Sequence, residues 1–172
     1  KLIQSNKIEG YSLPQGQLSL LFREIGRGSP GLISTVGKNT YVDPRLSGGK
    51  LNNKTSEDVI DIVSIDGVKY LFYKSQPVEA ALIRGSVADQ FGNISMMNEP
   101  VKTEFLSMAQ AARSSGGKVY VQVSELSKNK LTPNNIDLPS HLVDSFVLTT
   151  DIDNDHRYTN KYAIHKGLLS NG

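Results

Sequence analysis

A nearly continuous apolar run, Ala80-Ala81-Leu82-Ile83, closes on Arg84 and is followed by a helical pattern and then by Val119-Tyr120-Val121-Gln122-Val123. A strand without polar alternation reads as buried on both faces, which is the habit of parallel sheets. The intervening segment supplies the crossover. Thr103 is placed to cap a helix running to about Ser114, with Phe105, Leu106, Met108, Ala109 and Ala112 facing inward and Gly116-Gly117 as the stop. Strands alternating with helices predict an α/β fold with a mostly parallel sheet.

The rest of the chain fits around that unit. Lys1–Ile8 has helix-like apolar spacing, and Ile8–Leu13 alternates as a short strand does. Pro14 suits the first turn of a helix whose apolar face is Leu18, Leu21, Phe22 and Ile25, ended by Gly26, Gly28 and Pro30. Leu32–Val36 reads as a strand. From Gly37 to Ser56 periodicity disappears, and a surface loop of that length is expected to be functional or mobile. Val59–Ser64 and Val68–Tyr73 flank Asp66-Gly67, a strong two-residue hairpin signal that adds an antiparallel excursion to the sheet. A further strand is expected over Leu142–Leu148, and the stretch 150–172 reads as a peripheral polar tail.

Length and composition set the outer bounds. The chain has 172 residues, enough for one domain with a sizeable core. Lys and Arg number 19 against 17 Asp and Glu, scattered along the chain, so nucleic-acid binding is not expected. No run is long enough to predict a membrane span. With no cysteine there is no disulfide, thiol nucleophile or cysteine metal site, which is compatible with a cytoplasmic location. His141, His156 and His165 lack ligand spacing, and no metal or tightly bound cofactor is expected. The first residue, Lys1, and the helix-like start predict a piece of a longer chain.

The chemistry on offer is sparse. Leu13-Pro14-Gln15-Gly16 sits between a β-like run and an amphipathic helix, where the Gln15 amide is placed to enter a cleft. A glutamine tying down a turn is the plainer reading of the same residues. Tyr41-Val42-Asp43-Pro44-Arg45 offers an exposed aromatic and a cation to an acyl group or a phosphate. A solvated Asp-Pro turn explains it equally well. Asp89-Gln90-Phe91-Gly92-Asn93 reads as a tight turn that also shapes a cleft. Glu99, in Met97-Asn98-Glu99-Pro100, reads as a solvent-exposed carboxylate ahead of a helix.

In order along the chain, these segments resemble the family I coenzyme A-transferases, in the α-type half, and especially the single-chain acetate or propionate (acetoacetyl-type) members. The resemblance is carried by Asn6-Lys7-Ile8-Glu9, Leu13-Pro14-Gln15-Gly16-Gln17-Leu18, Thr40–Arg45 with Gly48–Asn52, Tyr70–Lys74, Ala81–Gly85, Ala88–Asn93, Met108–Ala112 and Gly116–Val123, and it spans about Lys1 to Thr149. It implies a three-layer α/β fold of the ribose-phosphate-isomerase-like superfamily, truncated here at both ends. It implies a ping-pong transfer of CoA from an acyl-CoA to a short-chain carboxylic acid through a glutamyl-CoA thioester, as in ketone-body or short-chain fatty-acid metabolism. It also places Gln15, and Gly16 as adjoining backbone, at the substrate, with Tyr41 a further substrate-binding candidate. The family's glycine-rich loop is expected before Lys1 and its nucleophilic glutamate after Gly172. The expected partners are therefore acyl-CoA, a small carboxylic acid, the missing β-type half and, at full length, further copies of the same chain. The isolated chain is expected to be inactive. A non-catalytic binding or assembly module on the same fold is the rival reading. A sugar-phosphate-isomerase-like domain fits less well, because the chain offers neither a phosphate loop nor acid/base carboxylates.

Overall fold

The structure is a computed structural model that describes residues 1–149 and Asp151. The strand expected over Leu142–Leu148 falls within them, whereas Thr150, most of the polar tail, His156 and His165 lie outside the described residues. The chain divides into two compact units, Lys1–Pro77 and Val78–Gly172.

In the first unit, helix α1 (Gln15–Gly26) is followed by strands β1 (Gly31–Ser34), β2 (Ile60–Ile65) and β3 (Val68–Lys74). The Asp66-Gly67 turn forms as its dipeptide demands, with both residues at positive φ, and β2 and β3 pair antiparallel from Ile65↔Val68 to Ile60↔Tyr73. β1 pairs antiparallel with the other edge of β3. The hairpin therefore belongs to a three-stranded antiparallel sheet of its own, β1-β3-β2, rather than being an excursion of the parallel sheet.

Two expectations fail near the start. Lys1–Ile8 makes a hydrogen-bonded turn and no helix, because Asn6 takes a left-handed φ of 52° and the Asn52 side chain holds the carbonyls of Ile3 and Ile8. The Ile8–Leu13 strand shrinks to an isolated bridge, Tyr11↔Lys50, flanked by bonds from Ser12 N–H to the Gly49 carbonyl and from Leu51 N–H to the Gly10 carbonyl.

The second unit holds β4 (Ala80–Arg84), β5 (Val87–Ala88), β6 (Ile94–Ser95), α2 (Phe105–Ser114), β7 (Lys118–Val123), β8 (Glu125–Leu126) and β9 (Ser145–Leu148). β4, β7 and β9 form a parallel sheet in the order β4-β7-β9. The predicted α/β class and β–α–β unit are thus present. A second small sheet, β6-β5-β8, mixes one antiparallel and one parallel pair. Helix α2 packs on β4 and β7, burying Ala109 and Ala112 with Ala81, Ile83, Val119, Val121 and Val123. Thr103 is not its cap, since Glu104 occupies that position, and Leu106 turns outward. Gly116, at φ 74°, ends the helix as expected.

The apolar run at 80–84 is not buried on both faces. Its burial alternates, and Leu82 is 77% exposed beside Tyr120 and Val147, so one face of the parallel sheet is open in this chain. That face carries a groove of about 380 Å³.

The turn after β5 is held by a buried carboxylate. Asp89 accepts hydrogen bonds from the N–H groups of Phe91, Asn93 and Leu131 and from the Asn93 side chain. Burial works to raise its pKa, but these donors outweigh burial and hold it below the usual carboxylate range. Such a group stabilises the fold fully above its unfolded pKa of about 3.9 and loses that contribution as pH falls through the lower, folded value. The wild-type chain is therefore expected to lose stability below about pH 4, and Asp89→Ala is expected to cost about 3 kcal/mol by breaking several bonds to a buried charge. Urea unfolding at pH 7 and pH 3 checks both, since the Ala variant has to show a shallower pH dependence than the wild type. In the same assay Leu82→Ser is expected to change stability by no more than about 0.5 kcal/mol and Ile83→Ala by about 2–4 kcal/mol.

Candidate functional site

The Leu13-Pro14-Gln15-Gly16 turn opens α1, with Pro14 at the N-cap position rather than inside the first turn. Proline at that place has a φ of −62° and a ψ of 127°, and its carbonyl accepts the first helical bonds, from Gln17 and Leu18 N–H. No side chain caps the helix, and the N–H groups of Gln15 and Gly16 meet no acceptor among the described residues. Both residues are exposed, and a Cβ built on Gly16 would meet nothing within 4 Å. A helix start of this kind presents uncompensated N–H donors and the positive end of the helix dipole, a ready site for a carboxylate or a developing oxyanion.

The segment 37–56, expected as a surface loop that is functional or mobile, is tied to the chain just before this turn through Gly49 and Tyr41. Val42 and Asp43 have no exposed surface. The Asp43 carboxylate accepts hydrogen bonds from Asn39 N–H, from Arg45 N–H and from the Arg45 guanidinium. The Arg45 bond is the main cause, with the two backbone donors helping against burial, of a carboxyl held far below the usual range. The Arg45 guanidinium also reaches the Asn39 side chain, so it clamps the loop while its side chain stays 45% exposed.

Tyr41 stands at the mouth of this loop. It is 54% exposed, and its hydroxyl lies 3.2 Å from Ser12 Oγ, immediately before the Pro-Gln-Gly turn. Ser12 N–H donates to the Gly49 carbonyl at 2.8 Å. Gly49 is needed there, because its φ is 75° and a Cβ would lie 2.8 Å from the Ser12 carbonyl oxygen. The fold thus brings Tyr41 to the segment that leads into Gln15 and Gly16, although it lies well apart from them in the sequence.

Other singled-out residues fall elsewhere. Glu99 is not solvent-exposed: its side chain is 9% exposed, with Arg84 Nε at 3.8 Å and Ser86 Oγ at 3.4 Å. Asp89–Asn93 makes the tight turn described above. His141 lies in a 3-10 turn, Ser140–Leu142, and no group of three or more metal-ligating side chains occurs among the described residues. Sequence reasoning missed Gln17, which is buried on the inner face of α1 with Leu21 and Ile25 although it is polar. A glutamine at the head of an apolar stripe was the available signal.

Residues 1–149 match the coenzyme A transferase family. The chain belongs to that family. It is 46% identical over 151 residues to the caffeate CoA-transferase of Acetobacterium woodii, covering 87% of this chain and 29% of that protein. The acyl-CoA transferase YdiF of Escherichia coli O157:H7, solved as a thioester complex with CoA, superposes with a TM-score of 0.83 at 39% identity, over 87% of this chain and 31% of that one. The glutaconate coenzyme A-transferase of Acidaminococcus fermentans has the same fold, with a TM-score of 0.67 at 18% identity over 86% of this chain and 48% of that one. This coenzyme A transferase chain therefore spans less than a third of the length of these two relatives at 46% and 39% identity.

Asp43→Asn removes the charge that the Arg45 guanidinium and two backbone N–H groups answer. The expected result is faster proteolytic cleavage within 37–50 with little change in the melting of the β4-β7-β9 sheet. Mapping the cleavage sites by mass spectrometry checks it, and an unchanged cleavage rate contradicts the clamp.

Proposed function

We propose that this chain is part of an acyl-CoA:carboxylate CoA-transferase. A glutamate carboxylate supplied from outside residues 1–172 attacks the thioester carbonyl and expels CoA as its thiolate, leaving a mixed anhydride. The thiolate then attacks the glutamyl carbonyl, which releases the first acid as carboxylate and leaves a glutamyl-CoA thioester. A second, short-chain carboxylic acid reverses the sequence and departs as its CoA thioester. Splitting the transfer in this way replaces one difficult exchange by covalent half-reactions.

The observation that carries this reading is the uncapped start of α1. Charge builds on the acyl oxygen at every addition step, and preorganised donors aimed at that charge are often the largest catalytic contribution. Gln15, through its side chain, and Gly16, through its exposed N–H, are the donors this chain has to give. The Tyr41 hydroxyl, held by Ser12, borders the acyl group. Membership of the coenzyme A transferase family and the likeness to a thioester complex with CoA support the substrate class. CoA is a substrate in this scheme, and the chemistry needs no tightly bound cofactor. The β-type half completes the site, the full-length protein assembles with further copies of itself, and the reaction belongs in the cytoplasm. No helix among the described residues is long and apolar enough to cross a membrane.

Gln15→Ala in the full-length polypeptide is expected to slow CoA transfer by ~10²-fold, the scale for losing one oxyanion donor. Exchange of labelled acetate into acetyl-CoA measures it, and a rate within a factor of two of wild type makes Gln15 a turn residue. Residues 1–172 alone are expected to give no exchange. Robust turnover would show that the nucleophile lies within this chain.

A further inference from the structure

Gln17 occupies the third helical position of α1, counted from Pro14 at the N-cap. A glutamine or glutamate at that position ordinarily folds back to accept the backbone N–H of the N-cap residue. Here the N-cap is proline, which has no N–H to give. Gln17 is accordingly left with a buried Oε1 that meets no donor among the described residues, although the residue is only 7% exposed.

An apolar side chain would suit the fold better at this place. Gln17, Leu21 and Ile25 lie four residues apart on the buried face of the helix, and only the first is polar. A buried acceptor without a donor costs stability, and such groups are few in native proteins. The direction of the side chain connects it to the site. Helical Cα–Cβ bonds tilt toward the N-terminus, so the carboxamide of Gln17 is carried back toward the first turn. That is the end at which the N–H groups of Gln15 and Gly16 also stand without an acceptor among the described residues. The start of α1 thus combines two donors and one acceptor within three consecutive residues.

We propose that Gln17 is a substrate-recognition residue whose carboxamide accepts a hydrogen bond from a donor that the substrate carries beside its acyl or carboxyl oxygen. The substrate oxygen takes the open donors of Gln15 and Gly16, the Gln15 carboxamide included, and an O–H or N–H of the same ligand donates to Gln17. Two sources fit this chemistry in a CoA-transferase: a hydroxyl on the acyl group, or an amide N–H of the pantetheine arm. The inference rests on the CoA-transfer reading given above. It adds a discrimination, because a site built to receive a hydrogen bond disfavours a ligand that cannot supply one.

Gln17→Leu separates this role from a structural one. Thermal unfolding of residues 1–172 is expected to rise by about 2–4 °C, since the variant removes an unanswered acceptor and completes the apolar stripe. A lower midpoint would mean that the Gln17 oxygen already has its donor within the fold, and would overturn the proposal. In the full-length polypeptide, kcat/KM is then compared between wild type and Gln17→Leu with lactate and propionate as acceptor acids. The comparison is repeated with acetyl-CoA and with an acetyl thioester of a simple alkyl thiol that has no amide. A loss of about tenfold or more with lactate, and not with propionate, assigns the donor to the acyl hydroxyl. A comparable loss with both acids, absent with the alkyl thioester, assigns it to the pantetheine amide. Equal activity of the two proteins toward every substrate overturns the proposal. A wild-type polypeptide that transfers no CoA refutes the proposed function instead, and the thermal measurement then decides on Gln17 alone.

Discussion

The buried Asp43 carboxylate is the constraint on which the architecture of the candidate site depends. An ionised carboxylate with no exposed surface has to be answered by donors, and this one is answered by the Arg45 guanidinium and by the N–H groups of Asn39 and Arg45. Those bonds close the loop on itself and fix Val42 beneath it. Tyr41 is thereby left at the rim, and Gly49 close enough to receive the Ser12 N–H. Segment 37–56 has almost no regular structure, yet its 39–45 part is closed by one buried charge, and Ser47 and Asn52 tie down the rest. The Pro-Gln-Gly turn inherits its position from that shape, because the chain just before it is tied to the loop and has little strand pairing of its own.

Local signals were read correctly where the local chemistry decides the outcome alone. The hairpin at Asp66-Gly67 needs positive φ at both residues, which few other dipeptides supply, and the stop at Gly116 needs a left-handed residue. The pattern misleads where distant partners decide. Lys1–Ile8 has helical spacing, but Asn52 claims the Ile3 and Ile8 carbonyls from 49 and 44 residues away and Asn6 turns the chain left-handed. Glu99 reads as solvated from its neighbours in sequence, yet Arg84 and Ser86 arrive beside it from the end of β4 and just beyond. The apolar run at Ala80–Arg84 is correct as a parallel strand, although its Leu82 face is open in this chain.

The candidate site was legible in a different way. Nothing in periodicity singles out Gln15 over any turn glutamine, and the role proposed for it rests on the order of several matched segments. Geometry adds what that order does not contain: Pro14 caps α1 by its carbonyl alone, the next two N–H groups are left open, and Tyr41 is lodged beside the same turn. Gln17 escaped notice because the register of the helix start decides its meaning. With Pro14 inside the first turn, Gln17 is an ordinary helical glutamine. With Pro14 one position earlier, it becomes a capping-box residue deprived of the N–H it would bind.

That shift of one position bears on how a proline serves a site of this kind. Proline at the N-cap gives up a side-chain cap and the capping-box bond together, which leaves the start of α1 less stable than a serine or aspartate would make it. The same loss keeps the Gly16 N–H open, because no capping oxygen competes for it. A cap would satisfy the helix at the expense of whatever ligand the donors are meant to hold. The rigid φ of proline, with the Ser12 bond to Gly49 behind it, fixes the direction of the exposed donors without occupying them.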